Sequence, residues 1–281
     1  MKHKDGFFKG MRGAKIYYQY WLPDGDARAV LLISHGLAEH SGRYMNVVNH
    51  FVPRGYAVYA LDHYGHGRSE GRRVYVKGFA DFTDVLKQYL AMVHAWQQDK
   101  PIFLLGHSMG ALISAYFLLE HQSEFAGAIL SGPSVIVPKN ISRAKIAVAQ
   151  VLSAIAPRVG IMALDASGVS RDPSVVRAYI DDPLVYNGKT TARLGSELLK
   201  AMQRVTAEAS RITLPIMILQ GGADRLVDPA GARILYDTVG SSDKTLKVYN
   251  GLYHEVYNEP EHNQVLGDVE TWLEGHLGMT N

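Results

Sequence analysis

The chain has 281 residues, a formal net charge of +2, 47% hydrophobic and 20% charged residues, and no cysteine. That composition describes a globular chain long enough for a large core, and it excludes an intrinsically disordered one. The lack of thiols excludes disulfides, thiolate catalysis and Cys-ligated metal centres, and so small a charge argues against nucleic-acid binding.

The opening stretch MKHKDGFFKGMRGAKIYY is charged and has no apolar run of signal-peptide length, so a cytoplasmic protein is expected. Residues 15–21 (KIYYQYW) read as an early antiparallel strand. Residues 29–34, 57–61, 102–105, 128–131, 216–220 and 246–249 are apolar runs of strand length. Runs without polar alternation imply strands buried on both faces, as in a parallel sheet between helical layers. Apolar residues near 3.6 spacing predict helices over 42–53, 79–97, 109–121, 230–239 and 262–277. This alternation predicts a doubly wound α/β domain. Residues 135–210 break the rhythm, with helical patterns and turns but no convincing strand. They predict a helical cap inserted between two strands, the core being 1–134 and 211–281. No stretch reaches the ~18 apolar residues of a membrane span, and the nearest, 146–156, is too short.

The strongest chemical signal is Gly106-His107-Ser108-Met109-Gly110, between a predicted buried strand and a predicted helix. This is the context of a nucleophile elbow, in which a tight turn lifts a serine hydroxyl clear of the sheet. A serine needs a base, supplied in this arrangement from a loop after a late strand, in the chain order Ser, Asp, His. His254 meets that condition in Asn250-Gly251-Leu252-Tyr253-His254-Glu255. His262 and His276 fall on the last predicted helix, and His107 is too close to its neighbour to reach the hydroxyl. For the acid, Asp224 and Asp228 compete in the loop after 216–220. Asp228-Pro229 reads as a helix start, N-cap followed by proline, which leaves Asp224 to orient the imidazole. The N–H of Met109 and an N–H from His35-Gly36-Leu37-Ala38, taken as that of Leu37, are the expected oxyanion donors. Asp62-His63-Tyr64-Gly65-His66-Gly67-Arg68-Ser69 offers metal-ligand types, but a structural glycine turn is the better reading. Serine chemistry of this kind needs no metal and no cofactor.

Taken together, 35–44 (HGLAEHSGRY), 62–71 (DHYGHGRSEG), 103–110 (FLLGHSMG), 220–226 (QGGADRL) and 243–254 (DKTLKVYNGLYH) resemble monoacylglycerol lipase and its bacterial lysophospholipase-like relatives. Residues 182–184 (DPL) resemble that family's cap, and the similarity spans nearly the whole chain. The resemblance implies the α/β-hydrolase fold, with a mostly parallel sheet flanked by helices and an inserted cap. It implies that Ser108, Asp224 and His254 form a triad and that Leu37 and Met109 are the oxyanion donors. It also implies that Glu39 and Arg43 lie near the glycerol head group and that Tyr179 lines the polar end of the pocket. Ala38 stands where some members have glycine, which stiffens the loop, and Leu37 where some have alanine, which narrows the site. The expected activity is hydrolysis of monoacylglycerols to glycerol and fatty acid. A carboxylesterase or lysophospholipase acting on other single-chain esters is the near alternative, and a non-catalytic lipid-binding module the distant one. A dehalogenase or epoxide hydrolase would usually carry aspartate where Ser108 stands.

Residues 141–156 (ISRAKIAVAQVLSAIA) are apolar on more than one face. Around them the only charges between 135 and 164 are Lys139, Arg143, Lys145 and Arg158. That pattern suits a cap that touches an anionic membrane surface.

Overall fold

The computed structural model describes residues 1–137 and 141–277, and of Arg143 the backbone alone. Lys139 therefore lies outside the described residues. The main sheet holds β1 (Lys2–Lys9), β2 (Lys15–Leu22), β3 (Ala29–Ser34), β4 (Tyr56–Leu61), β5 (Ile102–His107), β6 (Gly127–Ser131), β9 (Ile216–Gly221) and β10 (Lys244–Tyr249). Their spatial order is β1-β2-β4-β3-β5-β6-β9-β10. Strands β1 and β2 are antiparallel to each other, and β2 runs antiparallel to β4. Every other neighbouring pair is parallel.

Successive side chains of a strand face opposite ways, so each apolar strand feeds two cores at once. Leu32, Leu104, Leu130 and Ile218 face α2 (Ala80–Trp96) and α3 (Met109–His121), packing with Phe82, Leu86 and Leu112. Leu31, Leu105, Ile129 and Leu219 face α1 (Met45–Phe51) and α8 (His262–Leu277), packing with Val48, Phe51, Leu266 and Leu273. All these side chains are essentially inaccessible to solvent, so the double burial inferred from the unbroken apolar runs is observed. Helix α7 (Ala230–Thr238) has Pro229 as its N-cap, one residue later than the expected Asp228 cap, and Asp228 Oδ1 accepts the Ala230 N–H at 3.0 Å.

Between β6 and β9 the chain leaves the sheet. It forms α4 (Arg143–Ile155), β7 (Gly160–Ala163), α5 (Pro173–Asp181), β8 (Lys189–Thr191) and α6 (Ala192–Glu208). Strands β7 and β8 pair antiparallel, which corrects the expectation that this segment has no strand. They span four and three residues, too short to show a period of two in the sequence. Helix α6 lies against α3 and sends Leu194, Ala201 and Val205 into the main core. One strand went unread and one more expectation needs correction. Strand β1 is an edge strand paired with β2, and its charged, mostly exposed face hid it among polar residues. The single helix expected over 42–53 is a 3₁₀ turn at Ser41–Tyr44, then α1, then a second 3₁₀ turn at Val52–Arg54. Among the described residues no helix is long and apolar enough to cross a membrane.

Candidate active site

Ser108 stands alone between the end of β5 and the start of α3, with φ 54° and ψ −117°. A non-glycine residue held in that region costs about 1–3 kcal/mol and survives only where its surroundings over-determine it. Here they do. The Ser108 N–H donates to Ser131 O on β6 (2.9 Å), and Ser108 O accepts the Ala111 and Leu112 N–H groups of the first helical turn (3.1 and 3.2 Å). The flanking glycines are required sterically. A Cβ on Gly106 would stand 2.6 Å from Ser114 Oγ, and one on Gly110 would overlap the Ser34 carbonyl oxygen of β3.

His254 follows β10 and Asp224 follows β9, so parallel neighbours deliver both to the same end of the sheet as β5. His254 Nδ1 and Asp224 Oδ2 are 2.7 Å apart. Asp224 Oδ2 also accepts Gln220 Nε2–H (3.0 Å), and Oδ1 accepts the N–H groups of Leu226 and Val227 (2.8 and 3.1 Å). Burial works against the carboxylate's charge, but His254 and these donors outweigh it and hold its pKa below the usual range. Burial likewise pulls the imidazole down, yet the Asp224 charge wins and raises it above the ordinary 6.5. With Nδ1–H donating to the carboxylate, Nε2 carries the free lone pair of the neutral ring. The His254 ring packs 4.7 Å, centroid to centroid, from that of His107, the residue before Ser108. Burial, then the neighbouring His254, lowers His107 to about 3, so it stays neutral near pH 7. His262 and His276 lie on α8 and bond instead to Glu259 O and to Trp272 O and Asp243.

The loop after β3 lies directly against this turn, since a Cβ on Gly36 would stand 3.3 Å from Ser108 Cβ. His35 Nε2 accepts the His63 N–H (2.9 Å), which leaves Nδ1–H to donate to Gly36 O (2.8 Å). Burial lowers His35 to about 3, so the neutral tautomer that makes both bonds persists. Ala38 has φ +66° and its carbonyl accepts the Tyr186 N–H of the insertion (2.8 Å). Among the described residues the N–H groups of Leu37 and Met109 have no protein acceptor. The stretch after β4 is a turn built on Asp62. Its Oδ1 accepts from Ser41 N and Oγ (2.8 and 2.6 Å), and its Oδ2 from Arg68 N (2.7 Å).

Glu39, Arg43 and Tyr179 come together beside the pair. Arg43 Nη1 donates to Glu39 Oε2 (3.2 Å), and the Tyr179 ring covers the guanidinium with Cζ 4.5 Å from its centroid. The principal partner of Arg43 is a residue that sequence reasoning did not single out, Glu255, bound through both Nη atoms at 2.5 and 2.8 Å. The only signal for Glu255 was its place directly after His254. Its partner is 212 positions away, a contact that no local pattern reveals. Two further ties were also missed: His40 Nε2–H donates to Asp182 Oδ2 (2.9 Å), and the fully buried Glu259 accepts the Tyr253 and Arg171 N–H groups (2.7 and 3.1 Å).

A serine on a strand–turn–helix elbow and an Asp–His pair at the same end of a mostly parallel, helix-flanked sheet define an α/β-hydrolase. A family model described as serine aminopeptidase, S33, matches residues 25–261, and the chain belongs to that family. It is 43% identical to the monoacylglycerol lipase of Mycolicibacterium smegmatis over 270 residues, 96% of each chain. It is 37% identical to human monoglyceride lipase over 264 residues, 93% of this chain and 87% of that one. The crystal structure of Paleococcus ferrophilus monoacylglycerol lipase superposes with a TM-score of 0.85 at 30% identity, covering 93% of this chain and 99% of that one.

The left-handed backbone at Ala38 generates a stability prediction. Ala38→Gly removes a Cβ from a φ that disfavours it, which outweighs the added freedom of the unfolded chain. The variant is expected to gain about 1 kcal/mol, a rise of roughly 2 °C in Tm by thermal unfolding.

Proposed function

We propose that this chain is a serine hydrolase that cleaves monoacylglycerols to glycerol and free fatty acid through an acyl-enzyme, with Ser108, His254 and Asp224 as its triad. One observation carries the chemistry: a left-handed serine on the β5–α3 turn has an Asp224-bound imidazole packed beside that turn. The substrate class is supported by the monoacylglycerol lipases among its relatives. Ser108 Oγ attacks the ester carbonyl while His254 Nε2 takes its proton. Asp224 keeps the tautomer and stabilises the imidazolium without taking the proton. The oxyanion rests on the N–H groups of Leu37 and Met109, each worth about 10²–10³ in rate. His254 protonates the departing glycerol oxygen, then activates the water that releases the fatty acid. Residues 135–210 act as a cap on the core of 1–134 and 211–281, a reading supported by Tyr179 over Arg43 and Tyr186 on Ala38. Glu39, Arg43 and Tyr179 form the polar wall on the head-group side.

Ser108→Ala is expected to lower kcat by at least about 10³-fold and to abolish fluorophosphonate labelling, with Tm within a few degrees of the parent. Monoacylglycerol should give the highest kcat/KM in a panel with triacylglycerol, lysophospholipid and short p-nitrophenyl esters. A preference for lysophospholipid or the short ester would replace that substrate assignment, and a folded parent protein that resists labelling would leave only a binding role.

The pH profile follows from the imidazole. His254 is a base only when neutral, and its pKa lies above the ordinary 6.5. Activity is therefore lost as pH falls through that raised value. The acid limb of kcat/KM is expected to have its midpoint above 6.5 in the parent and at lower pH in Asp224→Asn, read from initial rates across a pH series.

The cap also contacts a lipid surface. Val148, Val151 and Ile155 of α4 form one stripe and are 59%, 58% and 75% exposed, and the exposed Lys145 and Arg158 flank it. The parent is expected to co-sediment with phosphatidylglycerol vesicles, and Val151→Asp with Ile155→Asp to reduce the bound fraction severalfold. Equal binding by parent and variant, or none by the parent, would remove this role.

A further inference from the structure

We propose that Glu255 is a positioning residue. With Arg43 and Glu39 it forms a buried strut that sets the spacing between the loop carrying His254 and the loop carrying Leu37. The inference rests on the reading of Ser108 and His254 as the reacting pair. The strut can be followed atom by atom. Glu255 Oε1 and Oε2 take both Nη groups of Arg43 (2.5 and 2.8 Å), and Oε2 also accepts Asn258 Nδ2–H (2.9 Å). Arg43 Nη1 continues to Glu39 Oε2 (3.2 Å). The other oxygen of Glu39 accepts the Gly36 N–H (2.6 Å) and the Tyr44 O–H (2.8 Å). One unbroken chain of charge-assisted bonds thus joins the residue after the base to the residue before the proposed oxyanion donor. Such bonds are short and directional, and two parallel Arg–carboxylate contacts fix geometry as well as distance.

Burial makes the arrangement expensive unless it has a use. The side chains of Glu39, Arg43 and Glu255 are 5%, 9% and 5% exposed. Two carboxylates share one guanidinium; burial raises the pKa of Glu39, opposed by Arg43 and by the Gly36 N–H and Tyr44 O–H bonds. A catalytic imidazole gains a positive charge in the transition state, and the Glu255 and Glu39 carboxylates favour that charge. The charged or titratable groups facing His254 are Asp224 from the loop after β9, Glu255 from its own loop, Glu39 and Arg43 from the segment after β3, and the neutral His107 of β5. Burial opposes ionisation of Glu255, but Arg43 outweighs it and keeps the carboxylate charged. With its guanidinium held by two carboxylates and covered by Tyr179, Arg43 spends its donors on the strut.

The test compares Glu255→Gln and Glu39→Gln with the parent, using monoacylglycerol hydrolysis across pH, fluorophosphonate labelling rates and Tm. Each variant keeps the side-chain shape and removes one charge. The expected result is a kcat lower by about 10–100-fold in both variants, with KM within about threefold for Glu255→Gln, because displaced groups slow chemistry more than binding. The acid limb of kcat/KM should move down by about 0.5–1 pH unit as negative charge leaves the neighbourhood of the imidazole. Glu255→Asp, which keeps the charge, should restore the acid limb to the parent position while kcat stays reduced. Folded variants with parental kcat and acid limb, or with raised KM alone, would overturn the strut. Should Glu255→Gln fail to fold, Glu39→Gln carries the same two readouts from the other end. A parent protein that neither hydrolyses esters nor reacts with fluorophosphonate would instead sink the triad reading, a result separable from any effect of Glu255.

Discussion

The left-handed backbone at Ser108 is the constraint around which the site is organised. One residue must reverse the chain from β5 into α3, and no ordinary L-residue conformation does this in so few atoms. The strain is held by the β6 carbonyl of Ser131 and by the first-turn N–H groups of α3. It also dictates sequence on both sides, because only glycine fits at 106 against Ser114 and at 110 against β3. The side chain is thereby presented at the start of α3, where free N–H groups and the helix dipole favour developing negative charge.

Around that turn, burial and charge are divided between two sets of residues. His35, His63, His66 and His107 are buried and lowered by burial, so they are neutral scaffolding, each with at least one ring nitrogen hydrogen-bonded. His254 is equally buried but shifts the other way, because Asp224 stands against it. What separates His254 from these four buried histidines is one carboxylate at 2.7 Å.

The insertion is bonded into both halves of this site. Tyr186 N–H holds the Ala38 carbonyl, and Asp182 holds His40, on the side of the loop after β3. Val169 O accepts the Glu255 N–H, and Arg171 binds Glu259, on the side of the His254 loop. The segment from 169 to 186 is thus anchored at both ends to the loops that flank Ser108, while α4 projects its apolar stripe to solvent. Packing of α6 into the main core makes the far end of the insertion part of the same folded unit.

The sequence by itself determined the elements whose cause is local. Unbroken apolar runs mark β3 to β6 and β9 because burial on both faces leaves no room for polar residues. The G-x-S-x-G turn is legible for the same reason, being set by neighbours in the chain, and so, to within one residue, is the start of α7 at Asp228-Pro229. Strand β1 and the β7–β8 pair escaped notice because their partners, not their composition, make them strands. The tertiary structure alone decided that Arg43 meets Glu255 across 212 positions, that Ala38 takes a positive φ under Tyr186, and that Glu39 and Glu255 share the Arg43 guanidinium. Those are long-range charge and steric matches, and a chain carries no local pattern for a partner that only folding brings near.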